Sequence, residues 1–226
     1  MKNRTLSILE AAVKDFIESG RPVSSRGLYE EHDFGVKSAS IRTELNVLTE
    51  SGFLSQPHTS SGRIPTNRGY QFYVEKLLEK PLAAEFDHFW VKDWIGNELS
   101  DFIEDISDDL RLLSVGYRPE RREIYKSGLD DLVAALDFET KNDIFDVIRD
   151  FEMIEDRIGE ILNYLSDKSP RIFVGKSPIT KSRLLSVVAD CYGRSGSRRI
   201  LIAIGPKRMN YSKVIKMFKT LHSTDD

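Results

Sequence analysis

PHTSSGRIPTNRGYQFYV, residues 57–74, is the stretch whose reading decides the fold. Just ahead of it, Gly52-Phe53-Leu54-Ser55-Gln56 reads as a turn into a short strand, with Phe53 and Leu54 its apolar residues. Pro57 has no N–H to give a ladder, so pairing should stop there. His58-Thr59-Ser60-Ser61-Gly62 is small and polar, the composition of a loop tip. Arg63-Ile64 reads as the returning strand, ended by Pro65. Thr66 then offers its hydroxyl as N-cap to a helix through Tyr70, Tyr73, Val74, Leu77 and Leu78.

Three short helices are expected upstream. Thr5 can cap the first, whose apolar residues are Leu6, Leu9, Val13, Phe16 and Ile17, and Gly20 stops it. Arg21-Pro22 turns the chain, and Ser24 caps a short second helix through Leu28 and Tyr29, ending near His32. The third, from about Ala39 to Ser51, places Ile41, Leu45 and Leu48 inward and ends at Gly52. Three short helices followed by a hydroxyl-rich, arginine-bearing flap make a winged helix-turn-helix. In such an arrangement the third helix enters the major groove of DNA.

Its outward residues would be Ser40, Arg42, Thr43 and Asn46. Arginine pairs with guanine O6 and N7, asparagine with adenine, and threonine touches the thymine methyl. Ser24, Ser25 and Arg26 at the second helix, Lys37 and Ser38 at the third, and His58, Thr59, Ser60, Ser61, Arg63 and Arg68 around the flap complete the DNA-contact set. Hydroxyls and cations at such places reach phosphates. A merely solvated helix face has a similar composition; the flap behind it tips the reading toward DNA. His58 is open between a pH-sensitive phosphate contact and a neutral turn residue.

With Gln56 added, QPHTSSGRIPTNRGYQFYV resembles the wing signature of the HrcA family, the heat-inducible transcription repressors of bacteria. IGPKRMNYSKVI, from Ile204 to Ile215, resembles a motif near that family's C-terminus. SASIRTEL resembles its recognition-helix start, so Ser40, Ile41 and Arg42 match, while Lys37 stands where members usually carry a capping serine and Ser38 where they often carry proline. The resemblance implies a cytoplasmic repressor that binds an inverted repeat as a homodimer and represses chaperone genes. It also implies the chaperonin GroEL as a supporting partner. Residues from about 123 to 221 resemble the family's sensory GAF-like domain. Family members are longer, and what is missing falls between Tyr117 and Ile124: the early strands of that domain and an inserted dimerising module. That would leave a three-strand remnant with exposed edges.

The expected organisation is α+β: a winged-helix DNA-binding domain over 1–80, a linking and dimerising helix over 81–115, and a reduced GAF-like regulatory domain over 116–226. The net charge of −3 is unevenly spread. Residues 81–168 carry 10 basic and 23 acidic side chains, whereas residues 169–226 carry 12 and 3. Such asymmetry marks a modular chain and does not locate nucleic acid. Leu99, Ile103, Ile106, Leu110 and Leu113 alternate four and three apart, a seam that either packs on its own domain or holds a dimer. Trp90 and Trp94 fall on another face.

Val115 to Lys126 reads as loop and strand, and Leu129 to Leu136 as a short helix. A second long helix, Thr140 to Leu165, carries Val147, Phe151, Ile154, Ile158, Ile161 and Leu165 in a like seam. Arg171–Gly175 and Arg198–Ile204 read as buried strands, and Leu184–Tyr192 as strand or helix. Asn210 caps a last helix bearing Tyr211, Val214, Ile215, Phe218 and Leu221, with Lys213, Lys216 and Lys219 off that face.

Catalytic chemistry is not expected. Gly193-Arg194-Ser195-Gly196 and Gly205-Pro206-Lys207-Arg208 lack phosphate-loop spacing, and tight turns explain both. The pairs Asp108-Asp109 and Asp130-Asp131 are adjacent in helices, where side chains diverge. Cys191 is the only cysteine, which rules out an internal disulfide and fits a reducing compartment. Four scattered histidines show no metal-ligand spacing, so neither metal nor cofactor is expected. No apolar run approaches a membrane span and the N-terminus does not read as a signal peptide. The rival reading is a winged helix kept as scaffold in a protein-interaction or ligand-sensing adaptor. An adaptor has no use for Arg42, Arg63 and Arg68 on an outward face.

Overall fold

The computed structural model describes residues 2–58, 61–81, 98–165, 169–193 and 197–225. The chain divides into two compact units, Met1–Leu77 and Leu78–Asp226. Among the described residues no helix is long and apolar enough to cross a membrane.

In the first unit, α1 (Asn3–Ser19), α2 (Ser25–Glu31) and α3 (Ser38–Glu50) pack around Ile8, Leu9, Val13, Leu28, Ile41, Leu45 and Leu48, none of which is exposed. Each such side chain contributes ~1.5–3 kcal/mol through burial. Ser24 caps α2, accepting a bond from the Gly27 N–H at 3.0 Å. Thr5 is not the cap of α1. It lies inside the helix, buried, and its hydroxyl donates to Glu44 Oε2 of α3 at 2.7 Å.

A hairpin follows. β1 (Leu54–Ser55) and β2 (Ile64–Pro65) pair antiparallel, Leu54 facing Pro65 and Ser55 facing Ile64. The returning arm also pairs with the segment before α2, through two bonds of 2.8 Å between the backbones of Val23 and Arg63. Gly62 permits that approach: a Cβ there would lie 2.6 Å from the Val23 carbonyl oxygen. Thr66 accepts a bond from the Gly69 N–H at 3.2 Å and opens α4 (Asn67–Glu79).

The second unit is a five-stranded antiparallel sheet with helices on both faces, an arrangement consistent with a GAF-like domain. Its elements are α5 (Leu99–Leu110), β3 (Leu113–Arg118), β4 (Glu123–Ser127), α6 (Leu129–Ala135), α7 (Lys141–Glu152), α8 (Ile154–Ile161), β5 (Arg171–Val174), β6 (Leu185–Tyr192), β7 (Arg199–Pro206) and α9 (Tyr211–Asp225). The strand order is β4-β3-β7-β6-β5, and every neighbouring pair is antiparallel. One face carries Leu113, Val115, Leu185, Val187, Ala189, Cys191, Ile200, Ile202 and Ile204 against α6, α7 and α8. On the other face Gly116 leaves room for Leu99 and Ile103, since a Cβ there would meet the Ile103 side chain at 2.7 Å.

α9 is fixed to that second face by polar bonds. The Tyr211 hydroxyl donates to Ser186 Oγ at 2.8 Å, the Tyr192 hydroxyl donates to the Phe218 carbonyl at 3.1 Å, and His222 Nε2 lies 2.7 Å from Asp190 Oδ2. Burial pushes the Asp190 carboxyl above the usual range, against the pull of His222. Asn210 Oδ1 accepts the Lys213 N–H at 3.0 Å, the expected cap.

Further sequence expectations are corrected. The sheet has five strands, not three, because Val115–Lys126 is no loop with one strand but the β3–β4 hairpin. Tyr117 and Ile124 are register partners, and a tight turn over 119–122 joins them. The seam Leu99, Ile103, Ile106, Leu110 and Leu113 is not one helix face held free for a partner. Leu113 begins β3, and all five side chains are buried in their own unit. The helix expected over Thr140–Leu165 is two helices broken at Met153, with a 3-10 turn over Leu162–Tyr164. Thr140 caps α7 in a reciprocal pair with Asp143. Trp90 and Trp94 lie outside the described residues.

Candidate nucleic-acid interface

The inward side chains of α3 determine what it shows outward. With Ile41, Leu45 and Leu48 buried, Ser40, Arg42, Thr43 and Asn46 are exposed. Lys37 caps the helix through its backbone only and its side chain is exposed. Among the described residues neither Lys37 nor Arg42 has an ion-pair partner, so both charges are available to a ligand. Thr43 donates to the Ala39 carbonyl at 3.2 Å and its side chain is exposed.

Two contacts brace α3. Ser38 Oγ donates to the Ser25 carbonyl of α2 at 3.2 Å, setting the angle between these helices. Glu44 is held to α1 by the Thr5 hydroxyl and by Arg4, 3.2 Å away. Thr5 chiefly, with Arg4 assisting, keeps the Glu44 carboxyl below the usual glutamate range. That contribution to stability is present above the ordinary range and fades as the pH falls through the lowered value.

The hairpin brings a further cation to α3. Arg63 Nη2 donates to Asn46 Oδ1 at 2.6 Å, tying β2 to the outward face of α3. Its Nε is buried without a bonding partner. Ser61 Oγ closes the loop, accepting the His58 N–H at 3.0 Å and donating to the His58 carbonyl at 2.7 Å. His58 itself is exposed; Thr59 and Ser60 lie outside the described residues.

The remaining expected contacts divide. Ser24 accepts the Gly27 N–H, Ser25 is half-buried, and Arg26 is solvent-exposed on α2, paired with Glu30 at 2.8 Å. Arg68 is engaged inside its own unit. Its Nη1 donates to the Ser51 carbonyl at 2.8 Å and its guanidinium lies 4.3 Å from the Phe53 ring centre. Sequence reading missed the Arg63–Asn46 and Thr5–Glu44 bonds, because nothing local marks partners so far apart in the chain. The assembled surface offers free cations, hydroxyls and amides on an exposed helix beside a hairpin. Among the described residues it presents no nucleophile with a base beside it.

Comparison with known proteins follows the same lines. The curated relatives are bacterial transcription repressors. A protein of Clostridioides difficile named heat-inducible transcription repressor HrcA is 39% identical over 114 residues, covering 50% of this chain and 34% of that protein. A protein of the same name from Clostridium perfringens is 49% identical over 77 residues, 34% of this chain and 23% of its own. The matches thus span about a third of these relatives' length at most. The family model described as HrcA protein C terminal domain matches residues 75–215, more than half of the chain. This chain belongs to the HrcA family. A crystal structure of a hypothetical protein shares its fold, with a TM-score of 0.79 over 99% of this chain and 97% of that one at 17% identity.

Proposed function

We propose that the chain is a sequence-specific DNA-binding repressor of heat-shock genes, reading an inverted-repeat operator as a homodimer. Residues 1–80 act as the winged-helix reader, the hairpin being the wing, and the second unit is the regulatory part. The exposed face of α3, with Arg42 unpaired and Asn46 tied to the hairpin arginine, carries this reading. Membership of a family whose relatives are named heat-inducible transcription repressors supports this choice of genes, and the resemblance adds chaperone operons as targets and GroEL as the partner to test. Because the first apolar seam is buried in its own unit and the second is buried there except for the half-buried Phe151 and Leu165, the second copy is held mainly by other surfaces.

Selection from a random-sequence duplex library tests the reading. Enrichment of an inverted repeat is expected, with binding that weakens as salt rises. Arg42→Ala should lose ~1–3 kcal/mol on the enriched repeat and far less on random duplex. Arg63→Ala should weaken both duplexes and lower the salt slope by about one unit. It should also relax the base preference that Asn46 sets. Equal losses for Arg42→Ala on both duplexes would make it a phosphate contact. No enrichment and no salt-dependent binding would leave the adaptor reading in its place.

A further inference from the structure

We propose a divalent-cation site of the zinc class in the first unit, formed by Asp15 of α1 with Glu31 and His32 at the end of α2. One ligand atom from each residue lies within 4.8 Å of the others. His32 Nε2 is 2.9 and 3.0 Å from the two Asp15 carboxylate oxygens. The chain makes this meeting by ending α2 at His32, whose extended backbone (φ −133°, ψ 140°) departs from the helical course. Phe34 packs against the imidazole with ring centres 5.6 Å apart. The His32 and Asp15 side chains are only 27% and 14% exposed, so they compete for a cation largely out of water.

The dimensions suit a small tetrahedral ion. Zinc bonds of about 2.0–2.2 Å to nitrogen and oxygen place neighbouring ligand atoms about 3.3 Å apart. Asp15 and His32 would open slightly from their present separation, and the exposed Glu31 side chain would close in. An open cleft of about 460 Å³ adjoins Asp15 and Glu31, lined also by Glu18, Arg21 and Ser24 among others, with room for water as a further ligand. Its lining sets three carboxylates against one guanidinium. One imidazole with two carboxylates favours a borderline ion such as zinc, because magnesium and calcium prefer all-oxygen shells. Bound there, the ion would fasten the end of α2 to α1. The ordinary alternative is an aspartate–histidine hydrogen bond between two helices and nothing more.

Calorimetric titration of the chelator-treated full chain with zinc chloride decides between them. One equivalent per chain is expected, with a rise in thermal midpoint. Glu31→Gln leaves the Asp15–His32 bond intact, and should weaken binding roughly tenfold or more. His32→Gln should abolish it, and His58→Gln should leave it unchanged. Circular dichroism without zinc would verify that each variant is folded. No binding by the parent chain, or undiminished binding by Glu31→Gln and His32→Gln, would overturn the site. Magnesium binding as tightly as zinc would overturn its assignment to the zinc class.

Discussion

Ile106→Asp is expected to unfold the second unit rather than to separate two subunits. Ile106 is fully buried on α5, in a layer with Leu99, Phe102, Ile103 and Leu110. The substitution forfeits ~1.5–3 kcal/mol of apolar burial. It also places a carboxylate where no cation is provided, a cost of several more kcal/mol unless the group stays protonated. Whole domains have only about 5–15 kcal/mol to lose. Ile106→Ala, by comparison, should cost ~2–5 kcal/mol and leave a folded, weakened unit. Circular dichroism and limited proteolysis of the full chain would read both variants. A variant that stays folded while light scattering shows its mass halved would mean that Ile106 faces a partner.

The same residue shows what sequence could and could not convey. A four-three spacing says that one side of a helix is covered, but not by what. In α5 the cover is the chain's own sheet, and Leu113 keeps the spacing while belonging to β3. Strand β6 was ambiguous for a related reason. All its residues from Leu185 to Tyr192 are buried, so no polar alternation marks a strand. The β1–β2 hairpin, by contrast, was legible to within a residue: Pro57 and Thr66 act through local backbone chemistry, whereas Pro65, read as ending the second arm, lies within it and pairs with Leu54.

At the candidate interface the outward residues of α3 followed from its three inward ones. The partners of those residues did not. Arg63 and Asn46 are 17 positions apart, as are His32 and Asp15, and both meetings exist only once the helices are packed. Thr5 misled because threonine suits a helix start as well as a buried bond, and Glu44, 39 residues on, decided between them. The surroundings of Arg68 were hidden in the same way. A cation beside a loop suggests phosphate, and only the packed unit shows that the Phe53 ring and the Ser51 carbonyl also hold it.

Asp150→Ala is the second substitution expected to be severe. The Asp150 carboxylate, at the buried side of α7, accepts Arg157 Nη1 at 2.9 Å, the Lys181 N–H at 2.8 Å and the Ser182 N–H at 2.7 Å. Arg157 also donates to the Ile179 carbonyl at 3.2 Å, so this one cluster pins the segment before β6 to α7 and α8. The two charged side chains are only 4% and 11% exposed. Removing one partner of a buried pair typically costs ~3–5 kcal/mol, because the other charge is left uncompensated. Each backbone N–H stranded out of water adds ~1–3 kcal/mol. Arg157→Met should be milder, since Asp150 keeps its two backbone donors. The double variant should lose less than the two single losses added together, because the stranded charge has gone. Urea midpoints for these chains, with the exposed Asp146→Ala as control, would measure the coupling. A loss for Asp150→Ala no larger than that control would show that the cluster contributes nothing to holding the segment.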